Sequence, residues 1–109
     1  MNITQSTQGS SIILTLAGKL DLAGAETLLN ALAPHLTGGS LVLDFGGVEY
    51  ITSYGFRVLM QAEKQQRLKQ GRIVLANLSA PVGRFFEIAG LHTVFKIAPD
   101  LPSALAGDT

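Results

Sequence analysis

The sequence predicts an α/β fold, a single domain over residues 1–109 in which a mixed central sheet of about five strands is covered by about four helices. Strand and helix patterns alternate in the order ββαβαβαβα, the signature of strands joined through helices that pack back on the sheet. Several strand patterns are apolar almost throughout, which suits strands shielded on both faces. The chain of 109 residues has no cysteine, so one packed core has to hold it without disulfides.

Ile3 to Gln8 and Ser11 to Ala17 read as two strands joined by a turn at Gly9-Ser10. The second contains the run Ile12-Ile13-Leu14-Thr15-Leu16-Ala17 and is expected to be central, covered on both faces. Gly18-Lys19-Leu20-Asp21 reads as a loop. Ala25, Leu28, Leu29, Leu32 and Leu36 then recur at helical spacing, with Pro34 near the end and a turn at Gly38-Gly39.

Leu41 to Phe45 predicts a third, buried strand, followed by a Gly46-Gly47 turn. From Ser53 a helix runs to about Gln70, stopped by Gly71, with Phe56, Leu59 and Met60 on its apolar face and exposed last turns beyond Glu63. Arg72 to Asn77 is a fourth strand. A short helix from about Ala80 to Ala89 turns Val82, Phe85, Phe86 and Ala89 inward, with Gly90 as its C-cap. Thr93 to Ile97 gives a fifth strand, and Asp100 opens a last short helix with Leu101 and Leu105 inward.

Composition excludes several classes of function. Without cysteine there is no zinc thiolate site, no thiol nucleophile and no argument for an oxidising compartment. The apolar residues fall in short runs, none long enough for a bilayer, and Met1-Asn2-Ile3-Thr4-Gln5 lacks the basic start of a signal peptide, so no membrane insertion and a cytoplasmic location are expected. Eight basic and eight acidic residues cancel, which argues against nucleic acid as a partner. The charge is uneven, however: Arg57, Lys64, Arg67, Lys69 and Arg72 stand against Glu63 alone, leaving a local excess of four positive charges. That segment reads as a solvated helix face or as a patch for an acidic partner. His35 and His92 are isolated and form no metal signature, and no cofactor is expected. The glycine pairs match neither a P-loop nor a dinucleotide fingerprint. Ser53, His92 and Asp21 could be combined into a hydrolase triad, but Ser53 lacks the G-x-S-x-G elbow, and the chain is expected not to be an enzyme.

The stretch Val48-Glu49-Tyr50-Ile51-Thr52-Ser53-Tyr54-Gly55-Phe56-Arg57-Val58-Leu59-Met60 is the one around which the chain is organised. Thr52 and Ser53 fall at a helix start, where a hydroxyl oxygen can accept a hydrogen bond from a first-turn amide. The same free N–H groups and the positive end of the helix macrodipole also suit an anion, including a phosphate carried by Ser53. Asp21 reads as a helix cap for Leu22 onward. If the loops at one edge of the sheet converge, it also lies near Ser53.

Two long segments together resemble the STAS family, whose small members include bacterial anti-anti-sigma factors. Leu41 to Phe56 is similar to the family's strand and to the D-S-[ST]-G-L motif that opens its second helix; Val82 to Ile97 is similar to its late helix, "GL" turn and "F-x-I" strand. Gly18-Lys19-Leu20-Asp21 resembles its G-x-[LI]-D segment. The resemblance implies one STAS-like domain that acts as an anti-sigma factor antagonist. It further implies a partner that is both anti-sigma factor and serine kinase, Ser53 as phospho-acceptor, and a PP2C-type phosphatase to reverse the transfer. Asp21, Thr52, Tyr54, Gly55 and Arg57 become the partner-binding positions. Thr52 stands where the motif has aspartate, Tyr54 where it has a small hydroxyl residue, and Arg57 where a glycine is frequent. Those departures favour a second role, a STAS subunit that docks constitutively on a transporter ATPase or sensory complex without phosphorylation.

Overall fold

The computed structural model describes residues 1–106. The strands are β1 (Asn2–Gln8), β2 (Ser11–Leu20), β3 (Ser40–Ile51), β4 (Arg72–Ala76) and β5 (Lys96–Ala98). The helices are α1 (Leu22–Leu32), α2 (Ser53–Leu68), α3 (Ala80–Ile88) and α4 (Leu101–Ala106), with single-turn 3₁₀ segments at Ala33–His35 and Leu91–Thr93. The strands form one sheet in the order β1-β2-β3-β4-β5; β1 is antiparallel to β2 and every other pair is parallel. The mixed five-stranded sheet and its four helices are thus as the sequence predicts.

Because each parallel strand is followed by its immediate neighbour, right-handed crossovers place α1, α2 and α3 on one face of the sheet. Alternation along the strands sends Leu14, Leu16, Leu41, Leu43, Ile73 and Leu75 to that face, where they meet Leu28, Leu32, Leu59 and Phe86 of the helices. On the reverse face, Val42, Val74, Ala76 and Ala98 are covered by Ala104 of α4. The same cluster takes in Ile13 of β2, but the cover of β2 ends there, so the expectation that β2 is covered on both sides is corrected beyond Ile13: Thr15 and Ala17 face solvent.

Two predicted breaks are strand instead. Gly18 to Leu20 extends β2, and β3 continues through Gly46-Gly47 to Ile51. The pairing of Thr15 with Asp44 but Ala17 with Gly47, and of Gly18 with Val48 but Lys19 with Tyr50, places two extra residues in β3 as bulges. Gly47 permits the first. A Cβ there would stand 2.8 Å from the Ala17 Cβ and 2.9 Å from the Leu16 carbonyl oxygen. Asp44 fastens the kink, its Oδ1 accepting from the Gly46 N–H at 2.9 Å and from Asn77 Nδ2 at 3.1 Å. The bulges lengthen the apolar period, so that Phe45, Val48 and Ile51 all enter the main core.

The helices also differ in detail from their sequence patterns. Of α2, Gly55, Val58, Leu59, Ala62 and Gln66 are buried, whereas Met60 is 46% exposed. In α3 Val82 and Phe86 are buried while Phe85 and Ala89 face outward, and in α1 Leu29 is exposed. Phe86 is the hub of the far end of the core, meeting the rings of Phe45, Phe56 and Phe95 edge-on at centroid distances of 6.2, 5.1 and 5.8 Å. The fifth strand begins at Lys96, not Thr93, because Leu91–Thr93 forms a 3₁₀ turn that drops Leu91 and Phe95 into the core. The fourth strand stops at Ala76, since Asn77 is left-handed at φ +61°.

At its C-terminus α2 stops at Leu68, and the left-handed position is taken by Gln70 (φ +65°) ahead of Gly71. Gly71 serves a different need, because a Cβ on it would lie 2.5 Å from the Gly38 carbonyl carbon. Gln66, fully buried, ties this contact together: its Oε1 accepts from the Gly38 N–H at 2.9 Å and its Nε2 donates to the Gly39 carbonyl at 2.8 Å. Lys69 Nζ donates to the Leu36 carbonyl at 3.0 Å. The loop before β3 is thereby held to the end of α2.

Two stability predictions follow from these contacts. Gln66→Leu keeps the volume and strands a donor and an acceptor, so the urea midpoint should fall by an amount equivalent to about 1–3 kcal/mol with an unchanged m-value. Equal stability of variant and parent would show that the clamp contributes nothing. Gly47→Ala should cost about 1–3 kcal/mol through overpacking against β2. Gly39→Ala, whose Cβ would meet nothing within 4 Å, is the neutral control in the same unfolding series.

Candidate functional site

The end of β2 and the end of β3 lie side by side, Leu20 paired with Ile51. Each strand feeds a helix, so the first turns of α1 and α2 emerge together at the carboxyl ends of parallel strands, where α/β sheets generally place their sites. Asp21 stands before α1 and caps it as the sequence predicts, its Oδ1 accepting from the Gly24 N–H at 2.9 Å. Thr52 stands before α2 and does not cap it in the expected way. Its hydroxyl donates to the Leu20 carbonyl at 2.8 Å, and its backbone N–H donates to the same oxygen at 3.0 Å.

The consequence is a difference among the helices. Asp21 caps α1, Ser79 caps α3 and Asp100 accepts from the Ser103 N–H of α4, whereas no side chain caps the first turn of α2. That bond, together with the Ser103 hydroxyl, holds the Asp100 carboxyl below the usual carboxylate range. Ser53, expected as a second capping hydroxyl, is the first residue of α2 and is exposed. Its oxygen is therefore at the surface beside the positive end of a sixteen-residue helix.

Close approach of α2 to β2 depends on Gly55. A Cβ at that buried position would stand 2.8 Å from Ile51 Cγ1 and 3.0 Å from the Leu20 Cβ. Gly24 does the corresponding work for α1, since its Cβ would collide with the Lys19 carbonyl oxygen. Exposed apolar side chains at this end of the sheet are Leu22 (52%), Tyr54 (45%) and Tyr50 (36%). Arg57 follows one turn after Ser53 and is exposed. The structure thus brings Asp21, Thr52, Ser53, Tyr54, Gly55 and Arg57 to one end of the sheet. Asp21, Thr52 and Gly55 are occupied with holding the backbone, while Ser53, Tyr54 and Arg57 are presented outward.

Leu22, Gly24 and Tyr50 were not singled out in the sequence. Gly24 carries a signal there, a glycine in the first turn of an otherwise good helical pattern, which speaks for a close backbone approach. The Ser53–His92–Asp21 combination is not assembled, because Asp21 Oδ1 is committed to Gly24 and His92 lines a separate cleft with Leu78 and Arg84 that Ser53 does not border. Among the described residues, no group of three or more His, Asp or Glu side chains could hold a metal ion, and no helix is long and apolar enough to cross a membrane.

The family model described as "Mlab, STAS domain" matches residues 3–99. BtrV of Bordetella bronchiseptica is 36% identical over 108 residues, 97% of this chain and 93% of that protein. The anti-sigma-B factor antagonist of Listeria monocytogenes is 34% identical over 88 residues, 79% of this chain and 77% of the relative. The crystal structure of an anti-sigma factor antagonist from Mycobacterium paratuberculosis superposes with a TM-score of 0.88 over 98% of this chain and 92% of that one, at 20% identity, a likeness of fold. The glycine-dependent junction of β2, β3 and α2, the expected sheet and these matches agree: the chain belongs to the STAS domain family.

Proposed function

We propose that this protein is an anti-sigma factor antagonist, a non-enzymatic partner-switching regulator that binds a serine kinase anti-sigma factor and is released when Ser53 is phosphorylated. The observation that carries the reading is the exposed Ser53 hydroxyl on the one α-helix among the described residues whose first turn has no side-chain cap. The name of the Listeria relative supports the class of partner.

Physically, the unmodified site offers a partner a neutral hydroxyl on Ser53 together with the exposed apolar side chains Leu22, Tyr50 and Tyr54 at the same end of the sheet. In the transfer, Ser53 Oγ forms a bond to the γ-phosphorus of ATP, the bond to the β–γ bridging oxygen breaks, ADP leaves and the hydroxyl proton passes to a base of the kinase. The product adds about −1.5 to −2 charges. The domain tolerates that charge, because the uncapped N–H groups and helix dipole of α2 lie beside it and Arg57 is four residues on, within reach on the same helix face. A partner that buries this surface has to desolvate the dianion, and a loss of about 3 kcal/mol lowers affinity more than a hundredfold. A PP2C-type phosphatase would restore binding by hydrolysing the phosphate ester.

Tyr54 gives a specific reason to keep a second reading. Its ring is 45% exposed beside the acceptor and would crowd a kinase active site, so a STAS subunit that docks constitutively on a transporter ATPase or sensory complex would show the same surface without the chemistry.

The readings separate in one experiment. Incubated with its kinase partner and Mg-ATP, the protein should gain one phosphoryl group on Ser53, and Ser53→Ala should gain none while still forming the complex. Ser53→Asp should bind the partner at least tenfold more weakly than Ser53→Ala. Unchanged mass in a protein that binds, with equal recovery of Ala and Asp variants, would leave constitutive docking as the function.

A further inference from the structure

The flank of α2 that faces away from α1 carries a surface that begins at Ser53 and extends well beyond it. Phe56, Met60 and Lys64 look across a groove of about 670 Å³ to Ala89 and Leu91 at the end of α3. Past Met60 and Lys64 the groove continues into a hollow of about 270 Å³ bordered by Leu68 and Val94. The apolar groups are open to solvent: Met60 is 46% exposed, Leu68 75% and Val94 38%.

Three properties of this groove select an occupant. Its length follows α2 from Ser53 to Leu68, sixteen residues, or about 24 Å at the helical rise, which matches a helix of about four turns. Its apolar floor is a shallow, elongated trough between α2 and the turn after α3, a form that takes the stripe of an amphipathic helix. Its rim is cationic, with Arg57 and Lys64 beside the groove and Arg67 beside the hollow. Glu63 is partly offset there, its Oε1 accepting from Arg67 Nη2 at 2.8 Å. A second copy of this chain is a poor fit, since α1, α2 and α3 contain one acidic residue each, Glu26, Glu63 and Glu87, and α4 contains none.

We propose that this groove is a docking site for an acidic amphipathic helix of the protein partner. The partner's apolar stripe covers Phe56, Met60, Leu91 and Val94, and its carboxylates meet Arg57 and Lys64. The assignment rests on the reading that the chain works by binding a protein; it does not require phosphorylation.

The test titrates the full chain, ¹⁵N-labelled, with a synthetic helical peptide as long as α2 that carries a leucine stripe flanked by glutamates, and with the same peptide flanked by lysines. Saturable amide shifts confined to the groove are expected with the acidic peptide alone. Met60→Asp should weaken that binding at least tenfold. Arg57→Glu combined with Lys64→Glu should exchange the preference, so that the lysine peptide binds and the glutamate peptide does not, an outcome that a merely unfolded variant cannot give. No saturable shifts, shifts elsewhere, or equal binding of both peptides would overturn the proposal. So would shifts at the groove that grow with protein concentration alone, or sedimentation with phosphatidylglycerol vesicles that Met60→Asp abolishes. The partner complex separates the two ideas: if Ser53→Asp breaks it and Met60→Asp does not, the groove assignment fails and the switch stands. If Met60→Asp breaks it and Ser53→Asp only weakens it, by less than tenfold, the groove stands and the switch fails.

Discussion

One carbonyl oxygen, that of Leu20, receives two hydrogen bonds from Thr52, through its backbone N–H at 3.0 Å and its hydroxyl at 2.8 Å. Most of the candidate site depends on that convergence. It turns the Thr52 hydroxyl away from α2, so that among the described residues no side chain takes up the N–H groups of the first helical turn. It also draws α2 against the end of β2 closely enough that Gly55 admits no Cβ without a shift of Leu20 or Ile51. A hydrogen-bonded junction and a missing methyl group together place Ser53 at the surface.

The opposite end of α2 is held by different means. Gln66 bonds both Gly38 and Gly39, while Gly71 lies against Gly38. A helix anchored at one end to the last residue of β2 and at the other to the loop before β3 has little freedom to tilt, and its core-facing stripe of Val58, Leu59 and Ala62 is buried between those anchors. The backbone under its outward flank is therefore held in place, which lowers the part of the cost of association that comes from ordering main chain. Rigidity also means that a charge placed on Ser53 acts where it sits, through the local field, with no need of a change in fold.

How far the sequence revealed this depends on whether the deciding interaction was local. Asp21 as a cap was legible because the bond runs three residues along the chain to Gly24. Thr52 was misread because its partner lies thirty-two residues away on another strand. Gly46-Gly47 has the composition of a turn, yet Phe45, Val48 and Ile51 keep an apolar spacing of three through it, which is the trace left by two bulges in one strand. Met60 was assigned inward because it is apolar. The phase that counts is set by Gly55, Leu59, Ala62 and Gln66, and the buried glutamine disguised it. The sheet and the helix count rest on long periodic runs that tolerate such local errors. The site rests on a few close approaches that periodicity does not encode.

The uneven charge of the sequence gains a physical meaning from how the structure distributes it. Lys69 is spent on the Leu36 carbonyl and Arg67 on Glu63, which leaves Arg57 and Lys64 along the groove. Arg57 lies four residues after Ser53, the spacing at which helical side chains meet. A phosphate on Ser53 would therefore act on the rim as well as on its own surroundings, because its two negative charges cancel the pair of cations that would draw an acidic helix. Pairing at the helix surface is worth only a few tenths of a kcal/mol, so the larger effect is on the approaching carboxylates, which would then meet a neutral or negative field. Helix start and groove would respond to the same added charge, one by desolvation and the other by loss of attraction.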